Sequence, residues 1–161
     1  MSASRVSIQL HDFDLGAEVA ALRVGDAAVG AVAAFVGTVR DRSSDSDQVQ
    51  AMELEHYPGM TERSIEAMID AAVERFGIRG ARVVHRVGLL QPLDQIMMVA
   101  VTAAHRGSAF QACEFLMDYL KTQAPFWKKE QTPSGARWVD ARVADDAALQ
   151  RWGISADNAA P

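Results

Sequence analysis

The chain has 161 residues, of which 49% are hydrophobic and 23% charged, a composition typical of one globular domain without a membrane-spanning helix. Its net charge of −5 disfavours nucleic-acid binding, which needs many cationic contacts with phosphates. The single cysteine, Cys113, cannot form an internal disulfide, and no Cys/His cluster has metal-ligand spacing, so we predict a cytoplasmic protein without a metal or cofactor.

The first part of the chain predicts two strands and a short helix. Apolar and polar residues alternate over residues 6–10, as in a strand. Asp12 or Asp14 is the predicted cap of a helix that ends near Leu22. Residues 29–39 are apolar almost throughout, which predicts a strand covered on both faces.

Two glycines interrupt this second strand, and a polar loop follows it. Gly30 and Gly37 predict a bulge or a close approach of two backbone segments. Residues 41–48 are rich in Ser and Asp, which predicts a mobile loop. Alternation resumes over residues 52–57 and predicts a strand with one face in water.

The middle of the chain predicts two long helices separated by strands. Apolar residues recur at helical spacing between residues 65 and 76, so a helix begins near Pro58 or Thr61 and ends at Gly77. The strands that follow cover residues 82–87 and 96–104.

The second long helix has a predicted start and a predicted stop. Ser108 and Gln111 form a candidate capping box for a helix that runs to about Gln123, where Pro125 ends it.

The C-terminal part predicts only short elements. Residues 126–131 and 138–143 are predicted strands, and residues 145–152 a last helical turn or two. Residues 154–161 are a predicted disordered tail, which leaves a single domain over residues 1–153. Strands with two long helices between them predict an α+β fold with a mainly antiparallel sheet.

His105 and Arg106 stand where a buried strand passes into the second long helix. The free N–H groups of a helix start, together with a guanidinium, form a site for an anion. A solvated arginine and a histidine at the edge of the core explain the same pattern, so both interpretations stay open for this pair.

Lys121 shares a helix face with Phe110 and Met117. At the edge of an apolar stripe its amine is partly desolvated, which favours the neutral form and suits acid–base or nucleophilic chemistry. The alternative is that the stem packs on the stripe while the ammonium group reaches water.

Lys128 and Lys129 follow the break at Pro125 and fold back toward the end of that helix. In an extended segment they face opposite ways, so at most one of them faces the pocket directly. Phe126, Lys128 and Glu130 would share a face, which places Glu130 to orient Lys128.

Arg40 ends the second apolar strand, where a cation can complete an anion pocket or simply be exposed. His85 and Cys113 are interpreted as structural residues, a strand histidine and a small core residue on a helix face. The chain has no Gly-rich phosphate loop and no serine nucleophile elbow.

Five segments together resemble the large, catalytic subunit of molybdopterin synthase. They are residues 35–40 (FVGTVR), 54–60 (LEHYPGM), 104–106 (AHR), 117–122 (MDYLKT) and 124–130 (APFWKKE). The resemblance extends from about residue 6 to residue 152, in the order and spacing of the family.

This resemblance implies an α/β hammerhead fold and a sulfurtransferase. The family converts cyclic pyranopterin monophosphate (precursor Z) into molybdopterin by installing two sulfurs as a dithiolene. The sulfur arrives as the C-terminal thiocarboxylate of a small ubiquitin-like carrier subunit, whose Gly-Gly tail enters the pocket. The implied assembly is a heterotetramer around a homodimer of large subunits.

The resemblance also implies roles for matching residues. Lys121 is the first candidate for general acid or base and Lys128 the second. The implied substrate-binding residues are Thr38, Val39, Arg40, His105, Arg106, Lys121, Lys128, Lys129 and Glu130, with Phe35, Met117 and Arg142 as further candidates for the pocket lining. Thr38 departs from the pattern, since some relatives have a lysine there. A non-catalytic anion-binding domain and a scaffold that only docks the carrier are the alternative functions.

Overall fold

A computed structural model of the chain describes residues 4–42, 48–139, 150 and 152–153. The described residues form three helices, which are α1 (Leu15–Arg23), α2 (Met60–Phe76) and α3 (Arg106–Thr122). They also form eight strands, which are β1 (Val6–Gln9), β2 (Ala31–Thr38), β3 (Ala51–His56), β4 (Gly80–Arg86), β5 (Gly88–Leu90), β6 (Gln95–Ala103), β7 (Phe126–Thr132) and β8 (Gly135–Val139). No helix within these residues is long and apolar enough to cross a membrane.

The strands are arranged in two four-stranded sheets. The first sheet has the order β1-β4-β6-β2, and its β1–β4 pair is parallel while its other pairs are antiparallel. The second sheet has the order β5-β3-β7-β8 and is antiparallel throughout. The prediction of an α+β fold with mainly antiparallel pairing is therefore confirmed.

The alternation of side chains along β4 and β6 divides the core into two layers. Val83, Val99 and Val101 face α2 and α3 in the largest buried cluster. Their neighbours Val84 and Met98 face α1 on the other side of the sheet. Successive strand residues point to opposite faces, so one central pair of strands is buried on both sides.

The ends of α1 and α2 follow the local signals in the sequence. The Asp14 carboxylate accepts a hydrogen bond from the Ala17 N–H at 3.0 Å, which caps α1. Gly77 ends α2 in the left-handed conformation, with φ of 63°. Both predictions are confirmed.

The predicted capping box at Ser108 is wrong. Helix α3 begins at Arg106, and the extended residue His105 occupies the cap position without a side-chain hydrogen bond to the helix. Strand β6 ends at Ala103, so the chain passes into the helix almost directly. Burial of Ala109 against the sheet fixes where the helix begins, and Ser108 falls inside its first turn.

The prediction that the strand over residues 29–39 is covered on both faces is also wrong. Strand β2 lies at the edge of its sheet, and Val32 and Phe35 are 38% and 42% exposed. An edge strand can carry the same apolar sequence as a central strand, although only some of its side chains are buried.

The glycines of this segment behave as expected. A Cβ atom at Gly30 would lie 2.2 Å from the Ala104 carbonyl oxygen, so two backbone segments approach closely there. The register of β2 against β6 shifts between Gly37 and Thr38, which confirms an irregularity at Gly37.

Several C-terminal and loop predictions differ from the structure or lie outside it. Strand β5 lies between the predicted strands 82–87 and 96–104, where we predicted no strand, and β8 begins at Gly135 rather than at residue 138. Residues 43–47, 140–149, 151 and 154–161 lie outside the described residues, and with them most of the predicted loop, the last helical turn and the tail. Arg42 and Gln48 flank the first gap and form an isolated antiparallel bridge.

Candidate active site

Helix α3 separates two groups of candidate residues within one chain. His105 and Arg106 lie at its start, and Lys121, Lys128 and Lys129 lie at or beyond its end. Arg106 is its first residue and Lys121 lies in its last turn. At a rise of 1.5 Å per residue, about 22 Å of helix lies between them. The stretch from His105 to Lys129 therefore does not close into a single pocket within one chain.

Lys121 lies at the end of the first sheet where β2 finishes. Gly37 and His85 are both opposite Met97 of β6, so they lie at the same end of the sheet. Helix α3 runs back along β6 and brings Lys121 to this end, where its charge acts on the His85 imidazole.

His85 is a buried neutral residue beneath this end of the sheet. Its Nδ1–H donates to the Arg86 carbonyl oxygen at 2.8 Å, and its ring stacks on Phe126 with centroids 3.9 Å apart. Burial lowers the pKa of His85 to about 4, and the charges of Lys121 and His56 act in the same direction. The interpretation as a structural strand histidine is confirmed.

Lys128 and Glu130 share a face of β7, as the alternation predicts. The Lys128 Nζ lies 3.8 Å from Glu130 Oε1, and the Arg137 guanidinium lies 3.4 Å from Glu130 Oε2. Glu130 is only 6% exposed. The buried carboxylate thus lies between two cations, on the face of β7 where the alternation places it beside Lys128.

Arg137 was not predicted as a site residue. It is brought to Glu130 by the β7–β8 hairpin, in which these two residues are directly opposite each other. The sequence carries a signal for such a hairpin, because residues 132–135 (TPSG) contain both Pro and Gly.

Lys129 lies on the opposite face of the second sheet. Its Nζ lies 5.6 Å from the centroid of the Trp138 ring, which is itself 44% exposed. Of the two neighbouring lysines, Lys128 therefore faces the Glu130 side, and Lys129 does not join that cluster.

Arg40 lies beside a cavity of about 560 Å³ that is lined by residues 38–42, Pro92 and Leu93. The neighbouring Val39 is held on both sides, because its N–H donates to the Asp94 carbonyl and its own carbonyl accepts from the Leu93 N–H, each at 2.9 Å. Val39 packs with Leu54, the residue opposite Lys128 in the second sheet. The exposed Arg40 thus follows directly after the contact that links both sheets.

The expected desolvation of Lys121 is not present in the single chain. Phe110 is 67% exposed, Met117 is half-buried and Lys121 is exposed, so the helix face that they share is turned to solvent. The face of α3 that packs on the core carries a different set of residues, among them Cys113 and Leu116.

The start of α3 presents a second cationic site. His105 and Arg106 are exposed, and a Cβ atom at Gly107 would meet no other heavy atom within 4 Å. The N–H groups of this first helical turn and the Arg106 guanidinium are therefore open to an anion.

Two further candidates for the pocket lining do not join these sites. Phe35 is on the exposed edge strand, and Arg142 lies outside the described residues. Burial raises the pKa of the Cys113 thiol to about 11, which confirms its interpretation as a core residue. Among the described residues no group of three or more His, Cys, Asp or Glu side chains is arranged to hold a metal ion.

The sequence also concentrates its lysines in one short segment, which is a further signal for the site. The chain has only three lysines, Lys121, Lys128 and Lys129, while all of its other basic side chains except the histidines are arginines. A titratable amine is thus confined to nine residues of a chain that otherwise uses a permanently charged guanidinium.

The two mainly antiparallel sheets and the helices packed on the first of them define an α+β protein. The chain belongs to the MoaE protein family, whose model matches residues 8–123.

Relatives and solved structures extend the match over nearly the whole chain. The chain is 62% identical over 154 residues to the molybdopterin synthase catalytic subunit of Ralstonia nicotianae, covering 96% of this chain and 87% of that protein. It is 47% identical over 152 residues to the Escherichia coli subunit of the same name, covering 94% and 100%. The solved MoaE protein of Burkholderia ambifaria is 60% identical, with a TM-score of 0.81 and coverage of 95% and 100%.

A more distant structure supports the same fold. Molybdopterin synthase from Staphylococcus aureus is 27% identical, with a TM-score of 0.78 over 86% of this chain and 98% of that one. The resemblance of the five sequence segments to this family is therefore confirmed.

Proposed function

We propose that this chain is the catalytic large subunit of a molybdopterin synthase, which converts cyclic pyranopterin monophosphate into molybdopterin. The proposal rests on three cations in a chain of the MoaE family. Lys121 acts on His85 at one end of the first sheet, Lys128 pairs with Glu130, and Arg40 lines the cavity next to Val39. We propose that these three cations form one cluster. The cluster offers titratable amines as well as fixed charge, which a purely anion-binding domain does not need.

Both proposed reactants are anions. The substrate carries a cyclic phosphate, and the sulfur donor is the C-terminal thiocarboxylate of a small ubiquitin-like carrier. Each transfer forms a carbon–sulfur bond on the pterin side chain in place of a carbon–oxygen bond. The displaced oxygen leaves with the opened phosphate in one transfer and as water in the other. Water then cleaves each acyl–sulfur bond and releases the carrier as a carboxylate. These steps need proton transfer and stabilisation of negative charge.

The cluster supplies both. Lys121 is assigned as the general acid or base, because its exposed amine stands at the open end of α3 where a carrier tail has access. Lys128 is assigned to stabilise developing negative charge, because its ammonium group pairs with the buried Glu130 carboxylate, which Arg137 also contacts. Thr38, Val39 and Arg40 line the cavity, and Val39 packs with Leu54, the residue opposite Lys128.

His105 and Arg106 are assigned to the substrate phosphate, and this requires a second copy of the chain. About 22 Å of helix separates them from Lys121. A homodimer that places the start of α3 of one copy beside the end of α3 of the other would complete two identical sites. With one carrier at each site, the assembly is a heterotetramer, and Lys129 and Arg142 are further candidates for contacts in it.

We place the enzyme in the cytoplasm. Its single thiol is free and the proposed donor is a thiocarboxylate, and both stay reduced in that compartment.

The test combines the purified chain with a thiocarboxylated carrier and the pterin precursor, and detects the dithiolene product by mass. We expect Lys121→Ala to lower kcat by roughly 100-fold or more, the usual contribution of a general acid or base. Lys121→Arg keeps the charge without a titratable amine and is expected to be equally slow.

The matched control is Arg23→Ala, which also removes a cation from the last turn of a helix. It should leave kcat unchanged. Full turnover by Lys121→Ala would disprove the assignment of Lys121, and loss of carrier binding as its only defect would favour the docking scaffold.

A further inference from the structure

We infer that Thr61 is a positioning residue that fixes the placement of Lys121 relative to Lys128. The inference rests on the proposed roles of these two lysines. Thr61 touches neither of them, and it acts through the turn that connects α3 to β7.

The Thr61 hydroxyl joins two turns that are 64 positions apart in the chain. Thr61 lies in the first turn of α2 and is fully buried, with 0% exposure. Its Oγ1 accepts a hydrogen bond from the Tyr57 N–H at 3.0 Å and donates one to the Pro125 carbonyl at 3.1 Å. The Thr61 N–H also donates to the Tyr57 carbonyl at 2.9 Å, so the hydroxyl is anchored on its own side.

Pro125 lies between the two lysines. Helix α3 ends at Thr122 and β7 begins at Phe126, so the chain reverses direction around Pro125. Lys121 precedes this reversal by four residues and Lys128 follows it by three. A shift of the Pro125 carbonyl therefore moves the start of β7 relative to the end of α3, and with it the spacing of the two amines.

The turn on the Thr61 side is held rigidly. Glu62 accepts a hydrogen bond from the Gly59 N–H through one carboxylate oxygen, and its other oxygen lies 3.4 Å from His56 Nε2. His56 is in turn opposite Phe126 in the second sheet, and Phe126 stacks on His85. The contacts of Glu62 and His56 thus hold the turn before α2 in place, and the Thr61 hydroxyl connects this turn to the Pro125 carbonyl.

The chemistry of the bridge needs a hydroxyl group. Valine has nearly the same shape as threonine, but it neither donates nor accepts a hydrogen bond. In Thr61→Val the Tyr57 N–H and the Pro125 carbonyl would lose their partner, and the turn would shift to find new ones. Small displacements of catalytic groups reduce the rate of the chemical step more than they reduce binding.

The first test compares Thr61→Val with Thr61→Ser in the reconstituted synthase. We expect Thr61→Val to lower kcat roughly tenfold or more with KM within about twofold of wild type, and Thr61→Ser to restore kcat to within about threefold. If Thr61→Val does not fold, Thr61→Ala removes the hydroxyl with less bulk beside Pro125 and carries the same expectation.

The matched control is Thr132→Val. The Thr132 hydroxyl is also buried and also bridges two backbone groups, since it donates to the Gly135 carbonyl at 2.8 Å and accepts from the Ser134 N–H at 3.3 Å. These bonds lie within the β7–β8 turn and do not connect to α3. We expect a similar loss of thermal stability from both valine variants and a loss of kcat only from Thr61→Val. Equal loss of kcat in both would overturn the inference.

A second readout is independent of the reaction. With ¹³C-labelled lysine, the protein gives side-chain signals from only three residues. Thr61→Val should shift the signals of Lys121 and Lys128 more than that of Lys129, because Lys129 keeps its contact with Trp138 inside the β7–β8 hairpin. Unchanged Lys121 and Lys128 signals would overturn the inference. A wild-type protein without sulfur-transfer activity would disprove the proposed function instead, and the NMR result would still decide whether Thr61 positions the lysines.

Discussion

The His85 imidazole is enclosed by Phe126, the Arg86 carbonyl and the core beneath the first sheet. Lys121 and His56 lie near enough for their charges to oppose its protonation. The neutral imidazole adds no positive charge near the Lys121 ammonium group, and its flat ring stacks on Phe126 at the beginning of β7. A buried aromatic residue of similar shape should serve the same packing role without titrating.

This gives a prediction for stability at low pH. In the unfolded chain His85 has the ordinary pKa of 6.5, whereas burial lowers it to about 4 in the folded protein. Between these values the unfolded state binds a proton that the folded state does not, so stability falls as the pH decreases below 6.5 and is unaffected above it. From pH 7.5 to pH 5 this loss is about 2 kcal/mol.

The substitution His85→Phe removes this titration and keeps the stack on Phe126. Urea unfolding at pH 7.5 and pH 5 should therefore show a smaller decrease in the free energy of unfolding for His85→Phe than for wild type. Loss of the hydrogen bond to Arg86 lowers the free energy of unfolding of His85→Phe equally at both pH values. The change between the two pH values therefore reports the titration alone. Identical decreases in the two proteins would contradict the prediction.

The turn between β5 and β6 combines a strained backbone with an exposed side chain. Leu93 has φ of 78° and is 89% exposed. Pro92, which precedes Leu93, has a backbone φ angle fixed by its ring, and the Asp94 N–H donates to the Gln91 carbonyl at 3.0 Å. This is the pattern of a turn that favours Gly or Asn at the position of Leu93. The Leu93 N–H also holds the Val39 carbonyl, so the strained turn lines the cavity beside Arg40.

We expect Leu93→Asn to raise the free energy of unfolding by about 0.5–1 kcal/mol, because asparagine tolerates the left-handed conformation and the leucine side chain buries almost nothing. The measurement is urea unfolding at neutral pH. Leu10→Asn is the control, since Leu10 is 70% exposed and has no positive φ. It should bring no gain, and an equal gain in both variants would show that removal of an exposed leucine, rather than backbone strain, is responsible.

At the scale of the whole molecule, the length of α3 leads to a test of the proposed dimer. Lys121→Ala and Arg106→Ala should each be inactive or nearly so as separate proteins. If one copy supplies Lys121 and the other Arg106, a mixed dimer contains one intact site. Random mixing should then restore about a quarter of the wild-type activity, as expected for a two-fold symmetric dimer.

The control for this mixing experiment uses two variants on the same side of the site. Lys121→Ala and Lys128→Ala lie at the same end of the chain's fold, so no arrangement of their mixed dimers yields an intact site. Their mixture should stay inactive. Recovery of activity in this control, or none in the first mixture, would contradict a site shared between copies.

Local patterns in the sequence predicted most of the helices and strands. The spacing of apolar residues in α2, the cap at Asp14 and the stop at Gly77 depend on neighbours within a few residues, and all three are confirmed. The same holds for the common face of Lys128 and Glu130, because side-chain alternation is a property of any single strand. The family also follows from the sequence, since its motifs are contiguous.

The tertiary structure alone decided which of these residues meet. The edge position of β2, the exposure of Lys121 and the pairing of Arg137 with Glu130 depend on strand order and register. Those are set by the packing of segments far apart in the chain, which no local pattern encodes. The grouping of His105 and Arg106 with Lys121 in one site came from the resemblance, whereas the predicted helix between them already holds these residues at its opposite ends.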